Sequence, residues 1–117
     1  MPLTTIPAPT RPSGSALPTA SARLIQFTDT HLMRDPAGSI RGARTLPRLQ
    51  ACLAHARQHY FPVDAILLTG DVVHDEPEAY GAIDLLFGDL GAPVLVIPGN
   101  HDIPDEMRRQ LGHAPFQ

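Results

Sequence analysis

Three short apolar runs constrain this chain more than anything else in it. Leu24-Ile25-Gln26-Phe27-Thr28, Ala65-Ile66-Leu67-Leu68-Thr69 and Pro93-Val94-Leu95-Val96-Ile97 are β-prone and nearly continuous in hydrophobicity. Such runs predict buried strands. The segments between them carry helical spacing instead. Leu46, Leu49, Leu53, Ala56 and Tyr60 recur at alternating steps of three and four and make one apolar face. Thr45 is expected to cap that helix, with Pro47 in its first turn and Pro62 beyond its end. A second helix is expected from about Asp75, where Asp75 and Glu78 have capping-box spacing and Pro77 suits the first turn. Tyr80, Ile83, Phe87 and Leu90 would face inward, and Gly91 would stop it. A third helix is expected from Pro104 through Leu111, stopped by Gly112. Residues 32–44, with Pro36, Gly38 and Gly42, read as a loop. The order β-loop-α-β-α-β-α implies an α/β fold with a parallel sheet and right-handed crossovers.

Composition narrows the class. At 117 residues the chain is one domain or part of one, and a net charge of −3 offers no basic surface for nucleic acid or anionic membrane. No apolar run approaches the roughly 20 residues of a membrane helix. The single cysteine, Cys52, rules out an internal disulfide and fits a reducing, cytoplasmic compartment. Residues 1–22 hold five of the thirteen prolines among Thr, Ser and Ala, and are expected to be a disordered tail. They lack the basic start and unbroken apolar core of a secretory signal.

In a parallel sheet of this kind, ligands bind at the carboxyl ends of the strands. Each apolar run here ends in chemistry-bearing residues: Asp29-Thr30-His31 after the first, Gly70-Asp71 after the second, and Gly99-Asn100-His101-Asp102 after the third. Adjacent parallel strands would gather two carboxylates, one or two imidazoles and an amide at one edge. Aspartates that close repel one another unless a cation neutralises them. A mixed nitrogen and oxygen donor set suits Mn, Fe, Zn or similar ions. Asp71, on the central strand, is placed to bridge two of them. Two-metal sites suit in-line attack at phosphorus, because both the attacking and the leaving oxygen are stabilised.

Asp29-Thr30-His31-Leu32, Gly70-Asp71 and Gly99-Asn100-His101-Asp102 together resemble the first three motifs of the calcineurin-like metallophosphoesterases, over Arg23 to about Gly112. The resemblance implies the parallel βαβαβα half of a four-layer α/β/β/α sandwich whose second sheet is missing here. It implies two divalent or mixed-valence ions. Asp29 and His31 would hold the first, Asp71 would bridge, and Asn100 would hold the second. His101 would contact the phosphate, alongside His31, Asp71 and Asn100, and protonate the leaving oxygen. Asp102 would sit behind His101 as an orienter or, on the local reading, cap the helix at Pro104.

Gln26-Phe27-Thr28-Asp29-Thr30-His31-Leu32 and Thr69-Gly70-Asp71-Val72-Val73-His74-Asp75, with Tyr80, look like bacterial class III cyclic-nucleotide phosphodiesterases. Those open a 3′,5′-cyclic phosphate such as cyclic AMP, a small-molecule phosphodiester. The alternative within the superfamily is a DNA-repair nuclease, against which the acidic charge and scattered basic residues weigh. Ser/Thr protein phosphatases carry Asp-Arg-Gly where this chain has His74-Asp75-Glu76.

The family also carries downstream histidine ligands ending in Gly-His-x-His. Gly112-His113-Ala114-Pro115 does not meet that pattern. The expectation is therefore an N-terminal portion, inactive alone, or else a non-catalytic remnant or a half that works with a C-terminal partner. One sheet face would then be bare and apolar, and would favour association. Three other features carry bland readings. His55 and His59 are spaced i, i+4 but lack the Glu of a zinc motif, so surface positions are expected. His74 reads as a solvated loop or helix-start residue, with pocket lining as the alternative, and Cys52 as a packed or partly exposed residue of the first helix, not a nucleophile.

Overall fold

The three apolar runs form adjacent parallel strands. In the computed structural model, which describes residues 3–6 and 21–117, the elements are β1 (Leu3–Ile6), β2 (Leu24–Thr28), β3 (Ser39–Ile40), β4 (Ala43–Arg44), α1 (Thr45–His59), β5 (Ala65–Thr69), a 3-10 turn (Pro77–Ala79), α2 (Tyr80–Phe87), β6 (Val94–Ile97) and α3 (Pro104–Leu111). The main sheet has the order β1-β2-β5-β6. β2 pairs in parallel with β5, and β5 with β6. The α/β fold and the parallel three-strand sheet expected from the sequence are both present.

Register decides the two faces. Ile25, Ile66 and Val94 stand side by side, as do Phe27, Leu68 and Val96. Of these, all but Val96 are fully buried. They form one core with Leu49, Leu53 and Ala56 of α1, Tyr80, Ile83 and Phe87 at α2, and Met107 and Leu111 of α3. Phe27 and Phe87 meet edge to face at 5.4 Å. All three helices therefore serve one face of the sheet. On the other face Gln26, Leu67 and Leu95 form one row, and Thr28, Thr69 and Ile97 the next. Leu95 is 39 % exposed and Ile97 58 %. Among the described residues, no helix is long and apolar enough to cross a membrane.

Several local expectations are corrected. Leu3–Ile6 forms an edge strand antiparallel to β2, within the stretch read as a disordered tail. Of the remainder of that stretch, residues 1–2 and 7–20 lie outside the described residues. Residues 32–44 contain the β3–β4 hairpin, whose turn residues Arg41 and Gly42 both have positive φ, the backbone of a tight hairpin turn. Thr45 opens α1 instead of capping it; Arg44 holds the cap position without a side-chain bond. Asp75 does not cap a helix either, because the chain first makes the 3-10 turn at Pro77. α2 ends at Phe87, before Leu90 and Gly91. His55 and His59 are exposed, and Cys52 is half-buried.

Candidate metal centre

Parallel pairing does not stop where the strands end. Asp29 N–H donates to Gly70 O, His31 N–H to Asp71 O, and Leu32 N–H to Val72 O, at 2.9–3.1 Å. His74 N–H then donates to Leu32 O, and a bridge joins Leu32 and Val73. On the other side Gly70 N–H donates to Ile97 O, and Asp75 N–H to His101 O. The exit loops of β2, β5 and β6 are thus stitched into one layer by main-chain bonds. Leu32, Val72 and Val73 turn into the core, while Asp29, His31 and Asp71 meet at one edge.

That layer is bought with backbone strain. Asp29 (φ 55°), His31 (φ 46°), Asp71 (φ 48°) and Asp75 (φ 63°) all adopt left-handed backbone. Such residues cost about 1–3 kcal/mol each and concentrate at functional sites. Gly99 completes the packing: a Cβ there would collide with the Asp71 amide and its Oδ1. Only glycine lets the turn before His101 come this close.

The geometry collects most of the expected residues. His31 Nε2 lies 3.8 Å from Asp29 Oδ1 and 3.9 Å from Asp71 Oδ2. Those gaps are too long for hydrogen bonds. They match donors around a shared ion, since ligands about 2.0–2.2 Å from one centre sit roughly 3–4.4 Å apart. The other oxygen of Asp71 accepts the His101 amide at 2.8 Å. Asn100 lies exposed in the turn between Gly99 and His101.

Two residues in this cluster were not singled out as site residues. His74, read as solvated, brings its Nδ1 to 3.1 Å from His31 Nδ1 and stacks on His101 with ring centroids 4.4 Å apart. Asp75, read as a helix cap, places its carboxylate 3.2–3.3 Å from His101 Nδ1. The available signal was the run Asp71-Val72-Val73-His74-Asp75 itself. Two buried valines fix that loop, so the polar pair after them turns back to the edge.

Asp102 is placed differently from the expectation. It neither orients the His101 ring nor caps α3, whose cap position is Ile103 without a side-chain bond. Its buried carboxylate accepts Val72 N–H, Val73 N–H and Gly99 N–H at 2.8–3.1 Å, and the Tyr80 hydroxyl at 2.8 Å. It ties the β6 exit loop to the β5 exit loop. Tyr80 extends the tie, because its oxygen also accepts Ile103 N–H. Burial pushes the Tyr80 phenol well above its ordinary value, so it stays a donor to Asp102.

The donor chemistry fits a cation. Asp29, His31 and Asp71 offer donor atoms all within 4.8 Å of one another. Among the described residues, no arginine forms an ion pair with Asp29, Asp71 or Asp75. Two carboxylates and an imidazole that face one another without an arginine partner could hold a cation.

Comparison with known proteins agrees with this geometry. Residues 22–116 match the family model for calcineurin-like phosphoesterase. The chain is 36 % identical over 94 residues to a probable cyclic nucleotide phosphodiesterase of Synechococcus, covering 80 % of this chain and 36 % of that protein. It is 34 % identical to the 3′,5′-cyclic adenosine monophosphate phosphodiesterases CpdA of Haemophilus influenzae, covering 80 % of this chain and 35 % of that one, and of Escherichia coli K12, covering 81 % and 35 %. The chain thus spans about a third of the length of these curated relatives. With three motifs after three parallel strands and a match over nearly all the described residues, the chain belongs to the calcineurin-like phosphoesterase family.

Proposed function

We propose that residues 23–117 are the N-terminal part of a metal-dependent phosphodiesterase that opens a 3′,5′-cyclic nucleotide such as cyclic AMP. The observation that carries this reading is the Asp29–His31–Asp71 cluster with His101 anchored beside it through Asp71 Oδ1. Asp29 and His31 would hold one ion, Asp71 would be shared and Asn100 would serve a second, with Fe and Mn the fitting metals and Zn also compatible. Bound cations supply an activated water near neutral pH and offset charge on phosphoryl oxygens.

The chain's own contribution is positional. His101 contacts the phosphate and gives its proton to the leaving alkoxide. Its Nδ1 faces Asp75, which fixes the ring and leaves Nε2 for the substrate. His31, Asp71 and Asn100 surround the same phosphate. The substrate class rests on the relatives' names and on the Gly70-Asp71-Val72-Val73-His74-Asp75 run. A cytoplasmic setting fits a cyclic nucleotide and a chain with one cysteine.

In this reading the remaining two thirds of such an enzyme covers the outer sheet face and adds metal ligands, so the 117-residue chain alone is inactive. The test joins residues 1–117 to the C-terminal part of a CpdA relative and assays cyclic AMP hydrolysis with Mn²⁺. Activity is expected from the chimaera only. In it, His101→Ala should keep the metal content and lower turnover about 10²–10⁴-fold, with a smaller loss for a nitrophenyl phosphodiester. Loss of metal in His101→Ala would overturn the role given to His101. A metal-loaded chimaera inert on cyclic AMP but active on DNA would move the substrate to the nuclease class.

A further inference from the structure

The cluster contains a second set of donors that the phosphoesterase reading leaves unused as ligands. His74 Nε2 lies 4.0 Å from Asp75 Oδ2, and His101 Nδ1 lies 3.2 Å from Asp75 Oδ1. One donor atom from each of the three lies within 4.8 Å of the others. To hold one ion at about 2.0–2.2 Å, the His74 and His101 rings, stacked with centroids 4.4 Å apart, tilt their lone pairs toward it. The side chains of His74, Asp75 and His101 are 29 %, 64 % and 36 % exposed, so water can complete the coordination. Two imidazoles and one carboxylate favour Cu²⁺ or Zn²⁺, whereas the oxygen-rich Asp29–His31–Asp71 set suits Mn²⁺.

A single proton couples the two sets. His31 Nδ1 and His74 Nδ1 are 3.1 Å apart, a distance at which one must donate to the other. A neutral imidazole has one N–H. When His31 offers its Nε2 lone pair to an ion, its proton sits on Nδ1 and is donated to His74. His74 then carries its own proton on Nε2, the nitrogen that faces Asp75, and has no lone pair there. The reverse holds when His74 Nε2 is the ligand: His31 must then hold its proton on Nε2.

We propose that His74, Asp75 and His101 form a second transition-metal site for Cu²⁺ or Zn²⁺, and that its occupation excludes an ion held through His31 Nε2. Only the identity of the competing site rests on the phosphoesterase reading. Because its occupation displaces the ion held through His31 Nε2, the site is inhibitory.

Cu²⁺ bound to the metal-free 117-residue chain gives a direct readout. The measurement belongs in a His55→Ala/His59→Ala background, since that exposed pair on α1 would itself offer two nitrogens. Saturation at one Cu²⁺ per chain is expected, with an electron paramagnetic resonance spectrum of two coordinated nitrogens. His74→Gln and His101→Gln should each lose the two-nitrogen spectrum, whereas His31→Gln should keep it. In His74→Gln, a remaining one-nitrogen signal that vanishes with Asp29→Asn reports the first site, so its absence would count against the metal-centre reading alone. A one-nitrogen spectrum in the parent chain would overturn the second site. Two ions bound together, one of each type, would overturn the exclusion.

Discussion

Ile66 and Asp71 belong to the same strand and its exit loop, yet they live under opposite rules. Ile66 is fully buried in ordinary strand backbone, flanked in register by Ile25 and Val94. Asp71 is half-buried, has left-handed backbone, and aims one carboxylate oxygen at the edge. The body of the sheet is where apolar burial stabilises the chain. The edge is where stability is given up to hold like charges and strained turns together. The difference teaches that the two can be lost separately, except where one residue serves both.

Asp102 is that residue, and the largest effect is expected there. Asp102→Ala strands the Val72, Val73 and Gly99 amides and the Tyr80 hydroxyl inside the protein. A loss of about 3–5 kcal/mol is expected from urea unfolding, together with a large drop in cation affinity. A cost under about 1 kcal/mol would show that the loops hold without it.

Ile66→Ala and Asp71→Asn sharpen the contrast. The first leaves a cavity and should cost about 2–5 kcal/mol, with cation affinity little changed in the folded fraction. The second should leave stability unchanged or improved by relief of repulsion, while calorimetry shows affinity for Mn²⁺ at least about tenfold weaker. Equal losses of both properties in both variants would erase the distinction between body and edge.

Tyr80→Phe should cost about 1–3 kcal/mol, because Ile103 N–H loses its acceptor and Asp102 one donor. The pH dependence has a defined sign. Burial, the first cause, raises the folded phenol from its ordinary 10.0. The stability tied to its neutral form is complete below pH 10 and is lost as pH climbs toward the raised folded value. A pH titration of unfolding should show this alkaline loss diminished in Tyr80→Phe.

The smallest effect on folding is expected at Ile97. Ile97→Ser on the outer face should change stability by less than about 0.5 kcal/mol. Sedimentation should nevertheless show less self-association, since Ile97 and Leu95 are exposed apolar side chains on one face, with Leu95 in register with Leu67. Unchanged association would place the contact elsewhere.

What the sequence made legible follows the range of the interactions. The three strands were visible because apolar continuity is a local signal, and α1 because its inward residues share one period. Asp29, His31 and Asp71 followed from the rule that strand ends gather. β1 was missed because antiparallel pairing of Leu3–Ile6 with β2 is a long-range event, and its surroundings are rich in proline. His74 was missed because its contact with His31 depends on two exit loops pairing in parallel. Asp102 was read against its chain neighbours, as an orienter of His101 or a cap at Pro104, whereas two of its donors, Val72 and Val73, lie on a different loop. Asp75 and Glu78 had capping-box spacing, but no helix starts where that spacing requires.

The lateral edges of the sheet carry one last consequence. β1 covers the free side of β2, and Pro2 and Pro7 flank it with residues that lack an amide proton. On the other side the segment at Pro115–Gln117 trades main-chain bonds with Val94 and Val96 of β6. Fibril growth by adding strands needs a long unpaired edge, and among the described residues neither side of this sheet presents one. If the folded chain aggregates, it should stack through the exposed Leu95 and Ile97 of its outer face into amorphous, dye-negative particles instead of templating amyloid.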